Sequence, residues 1–64
     1  MTLKSFYMKE VTIITVCGQI FSGFVDDYFF PEDNENGEES IVIKTIYSEY
    51  IEITSSDIEK IIID

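Results

Sequence analysis

Seven carboxylates, Asp26, Asp27, Glu32, Asp33, Glu35, Glu38 and Glu39, stand within fourteen residues that contain no base. Oxygen ligands at that density suit a hard cation. The stretch Glu32-Asp33-Asn34-Glu35-Asn36-Gly37 is similar to the first half of a calcium loop. Glu32, Asn34 and Asn36 offer oxygens at alternate positions, and Gly37 is sixth, where the loop must turn sharply. The bidentate glutamate of that pattern falls on Ile43, and no helices are predicted on either side. The simpler reading is a solvated connection whose charge opposes aggregation. A third reading is a docking segment for a basic protein.

Other constellations dissolve when chemistry is asked of them. Asp26-Asp27 has the composition of an acid pair, but neighbours on a strand point to opposite faces unless a bulge turns one. Cys17, predicted to end a strand with its thiol buried, has no histidine to activate it. Ser55-Ser56-Asp57 has two hydroxyls and a carboxylate but no general base, and Asp57 is expected to cap a short turn. No enzyme is expected, and no cofactor. A single cysteine forms no internal disulfide, and without histidine no structural zinc site is expected.

The elements that carry these residues are predicted to be strands. Among 64 residues are twelve Ile, four Val and five Thr, with nine aromatics and no Ala or Arg. β-branched and aromatic side chains lose rotamer freedom in helices and pack well on a pleated surface. Strands are expected at Glu10–Cys17, Gln19–Phe30, Ser40–Tyr47, Tyr50–Thr54 and Ile58–Ile63. In the first, Val11, Ile13, Thr15 and Cys17 share one face. Gly23 is expected to bend the second, and Pro31, which has no N–H for the ladder, to end it. Ser48-Glu49 is read as a tight connection, and Ser55-Ser56-Asp57 as a 3₁₀ turn. Residues 1–9 read as an arm or a short helix before a single domain over 10–64. Five short strands describe an all-β, small and strongly bent barrel.

Charge narrows the partners. Thirteen acids against four Lys give a net charge of −9. Nucleic-acid affinity grows with the number of phosphates that cations neutralise, so a nucleic-acid partner is not expected. No run reaches the roughly 18 apolar residues of a membrane span, and the expected compartment is cytoplasmic. Ile14, Val16, Phe21, Phe24, Phe29, Phe30, Val42, Ile46 and Ile62 exceed the needs of so small an interior. A surface covered by another chain is therefore expected.

Val11, Ile13, Gly18, Ile20, Gly23, Val25 and Tyr28, followed by Ile53-Thr54-Ser55-Ser56-Asp57-Ile58-Glu59-Lys60-Ile61, make a frame that resembles the two motifs of the Sm-like family. The resemblance covers about residues 10 to 63 and implies a five-stranded, SH3-like barrel. In that family RNA is held by an Asp and an Asn of the first motif and an Arg-Gly pair of the second. The corresponding positions are Phe29, Asp33 (or Asn34 with a shift), and Thr54-Ser55, so the scaffold is kept and the RNA-reading residues are replaced. In Sm-like rings the fourth strand of one subunit pairs with the fifth of the next. The resemblance thus implies a homo-oligomer with Tyr50, Ile51, Ile53, Ile58 and Ile62 at the interface. The expected function is a self-associating, non-enzymatic assembly or adaptor module, with a diverged RNA-binding ring as the alternative.

Overall fold

The computed structural model describes residues 2–64. The β-branched runs form strands β1 (Glu10–Thr15), β2 (Ile20–Phe29), β3 (Ser40–Lys44), β4 (Tyr50–Thr54) and β5 (Ile58–Ile63). Three 3₁₀ turns punctuate them: η1 (Leu3–Phe6), η2 (Pro31–Asp33) and η3 (Ser55–Asp57). The fold is all-β. Its strands make one antiparallel sheet in the order β4-β3-β2-β1-β5.

The five-stranded all-β sheet expected from the sequence is present, and it bends without closing into a barrel. Among the described residues β4 pairs only with β3, and β5 only with β1. The reason lies in η3. A three-residue 3₁₀ turn carries the chain over the open end of the sheet, so β5 begins beside Thr15 rather than returning along Thr54. One backbone bond, from the Val16 N–H to the Asp57 carbonyl at 2.9 Å, ties that turn to the β1–β2 connection.

Period-two alternation sets the core. Val11, Ile13 and Thr15 of β1 point inward and pack with Val25, Ile41, Ile43 and Ile53 from the next three strands. Leu3 of η1 is buried among them, so the N-terminal segment is part of the core rather than a free arm. Thr2 caps η1, and the Met8 N–H to Val25 O and Val25 N–H to Lys9 O bonds continue the pairing beyond it. Gly23 makes the bend possible. A β-carbon there would lie 2.5 Å from the Lys44 carbonyl oxygen, so two backbones cross where only glycine fits.

Three strands are shorter than predicted, β2 by one residue at each end and β1 and β3 by more. β1 stops at Thr15 because Thr15 bonds to Gln19 O and Gly18 to Thr15 O, closing a turn with Gly18 at φ +89°. Cys17 is therefore an exposed turn residue, not a buried strand thiol. β3 stops at Lys44. The bonds Thr45 N–H to Glu49 O and Ser48 N–H to Thr45 O make the turn, with Ser48 itself at φ +62°. Ile46 and Tyr47, expected within the strand, stand at the turn tip with 86% and 78% of their surface exposed. Among the described residues no helix is long and apolar enough to cross a membrane.

Candidate functional site

The acidic segment is two things. Glu32 and Asp33 lie exposed on η2, whereas Glu38 and Glu39 are half-buried clamps. Glu39 Oε1 accepts from the Leu3 N–H at 2.8 Å, the Tyr28 hydroxyl at 2.9 Å and the Thr2 hydroxyl at 3.3 Å. Its carboxylate fastens η1 to the end of β2. Glu38 Oε1 accepts from the Ser55 hydroxyl at 3.1 Å and the Ser56 N–H at 2.9 Å, fastening the β2–β3 loop to η3. Hydrogen bonding from Ser56, and then from Ser55, holds the Glu38 carboxyl below its ordinary value. Desolvation first, and then the bond to Glu39, push the Tyr28 phenol up. A purely solvated loop thus underdescribes this segment.

Two of the three calcium candidates have other employment, and Glu32 is exposed. Asn34 donates from Nδ2 to Glu38 O at 2.7 Å and to Ser40 Oγ at 3.0 Å. Asn36 Oδ1 accepts the Glu38 N–H at 3.0 Å. Among the described residues no three of His, Cys, Asp and Glu gather as a metal site needs. Asp26 is the extra residue of a bulge between Val25 and Asp27, which leaves both aspartates exposed. Asp57 does not cap η3 as expected. It is the last residue of that turn, and its carboxylate accepts the Thr54 hydroxyl at 3.1 Å.

The positions that correspond to the RNA-reading residues are partly assembled. Phe29, Ser40 and Thr54 form one row across β2, β3 and β4. Ser55 adjoins that row through its N–H to Glu39 O at 3.0 Å, while Asp33 stays apart on η2. The donors that a phosphate would seek at Ser55 and Ser56 already face the carboxylate of Glu38.

The open edges are the larger feature. Among the described residues β4 and β5 each pair on one side only, and unpaired edges are templates for another strand. Of the expected interface residues, Tyr50 and Ile62 are exposed, and Ile51 and Ile58 are half-buried. Ile53 is 4% exposed and its side chain is spent on the core, so it can present only backbone. Beside β4 runs an apolar groove. One part, about 300 Å³, lies between the β1–β2 turn and β4, with Phe21 and Ile51 in its walls. The same two residues line an adjoining hollow of about 370 Å³ that reaches Ile20, Ile46 and Tyr47. Val16, Phe21 and Ile46, surplus apolars by sequence, converge here, which their spacing does not signal. Sequence reasoning also missed the Glu38 and Glu39 clamps, for which nothing in the local pattern signals a partner.

In comparisons with protein families, curated proteins and solved structures, nothing matches this chain.

Proposed function

We propose that this protein is a non-enzymatic assembly or adaptor module that associates with copies of itself through β4 and β5. The observation that carries the reading is that, among the described residues, both edges of this small sheet are unpaired, with apolar side chains along them. These are the strands that pair between subunits in the Sm-like rings that the sequence resembles. Such pairing is head-to-tail, and it closes into a ring when the rotation per subunit divides a full turn. It would satisfy edge backbone groups, cover Ile62 and Tyr50, and bring a neighbour to the groove beside Ile51. The opposing force is the charge of −9 per chain. Exposed charges farther apart than about 8 Å are largely screened at physiological salt.

Light scattering at about 100 µM in 0.15 M salt tests the reading. A mass at a fixed multiple of 7.4 kDa is expected, and a monomer at 7.4 kDa would refute it. RNA binding draws no support from the site, since Glu38 and Glu39 lie among the positions that would meet phosphate.

A further inference from the structure

Three aromatic side chains and a carboxylate meet beside η1, and none has a part in the assembly reading. Tyr28, at the end of β2, and Phe30, two residues on, share one side of an extended chain. Their rings stand almost perpendicular, at 82°, with centroids 5.1 Å apart. Lys4 comes from η1 and Tyr7 is the residue just past its end, its N–H bonded to the Lys4 carbonyl at 3.1 Å. The four residues and Asp27 line an open hollow of about 200 Å³.

The hollow already holds a cation. Lys4 Nζ lies 5.3 Å from the centroid of the Phe30 ring. An aromatic face carries the negative lobe of its quadrupole, so it attracts a positive charge seated above it. Asp27 adds a formal negative charge at the same hollow, and one of its oxygens accepts the Tyr28 N–H at 2.8 Å. The charge of −9 over the whole chain raises the local concentration of any cationic group.

We propose that Tyr7, Tyr28, Phe30 and Asp27 form a binding site for a methylated ammonium, carried on a lysine side chain of a protein partner, with Lys4 as the internal occupant it displaces. Methylation is argued from solvation. A bare ammonium is strongly hydrated and brings three donors, of which the ring faces meet none and the Asp27 carboxylate, already accepting the Tyr28 N–H, meets only a part. A methylated ammonium keeps the charge, loses less hydration, and presents methyl groups to the rings. A hollow of about 200 Å³ has room for one such head.

The test uses the whole protein and a series of capped lysines bearing zero to three Nε-methyl groups, with choline as a free cation. Binding is followed by amide chemical shifts of the protein. Dimethyl- and trimethyl-lysine should shift Tyr7, Asp27, Tyr28 and Phe30 and bind roughly fivefold tighter than unmodified lysine. Phe30→Leu should weaken binding about three- to tenfold, and Lys4→Gln should strengthen it about twofold. Phe30 and Tyr7 are nearly half exposed, so Phe30→Leu and Tyr7→Leu leave the core intact. An unchanged amide spectrum outside the hollow checks that each variant is folded. Equal or tighter binding of unmodified lysine would overturn the proposal, as would shifts elsewhere or no shifts. Tighter binding of choline would overturn the lysine source in favour of a small quaternary amine. None of these outcomes depends on whether the protein self-associates.

Discussion

Replacing Gly23 by Ala isolates the contact that bends the sheet. The new methyl would sit 2.5 Å from the Lys44 carbonyl oxygen, 3.0 Å from its carbon and 3.4 Å from the Thr45 α-carbon. All three are backbone atoms of the β3–β4 hairpin, so no rotamer change relieves the clash. Overpacking of this kind costs about 3 kcal/mol at the upper end of its usual range. Against it stands a gain of about 0.4–1 kcal/mol from a less flexible unfolded chain. The net loss is about 2 kcal/mol, and at roughly 4–8 °C per kcal/mol for a domain of this size the melting point should fall by about 8–16 °C. Gly18→Ala is the control. It meets nothing within 4 Å and bears only the strain of φ +89°, about 1–2 kcal/mol, offset by the same entropy gain. Thermal unfolding followed by circular dichroism, at one fixed protein concentration because association would add to stability, compares the three chains. Gly23→Ala melting within about 2 °C of the parent, or above Gly18→Ala, would refute the crossing-backbone account.

Glu39→Ala strips the acceptor from the Leu3 N–H and the Tyr28 hydroxyl. A loss of about 2 kcal/mol in urea unfolding is expected, with faster hydrogen exchange at Leu3; no change in either would remove Glu39 as the clamp of η1. The folded-state value of Glu38 lies below its ordinary 4.5. Its stabilisation is therefore complete above pH 4.5 and disappears as pH falls through the lower folded-state value, so Glu38→Gln should flatten the acid limb of the stability profile. Tyr28 has the opposite sign. Its phenol is raised above 10.0, so its bond to Glu39 persists below pH 10.0 and is lost as pH rises through the folded-state value, a loss that Tyr28→Phe should not show. Ile62→Lys puts a charge on the β5 edge at a residue 43% exposed; light scattering should show dissociation with the monomer fold retained, and an unchanged mass would take Ile62 out of the interface.

Local chemistry decided much of this fold. Tyr50–Thr54, Ser55–Asp57 and Ile58–Ile63 begin and end where alternation and the polar triplet place them, because each is bounded by residues unable to continue it. Val11, Ile13 and Thr15 face the core because a strand has a period of two, whatever its neighbours. The β3–β4 turn escaped because Ser48, not glycine, takes the positive φ, and nothing in Ile46-Tyr47 marks a turn. Tertiary structure alone decided the rest. Alternation says which side chains share a face, but not which strands become edges; that depends on where η3 delivers β5. The faces of Asp26 and Asp27 turn on a bulge set by pairing with β3, a partner beyond a ten-residue loop. Glu38 and Glu39 become clamps, and Lys4 and Tyr7 meet Tyr28 and Phe30, only once backbone bonds such as Met8 N–H to Val25 O bring the N-terminus beside β2. Interactions within a few residues can be read from a chain's spacing, whereas those made by residues far apart appear only when the folded sheet brings them together.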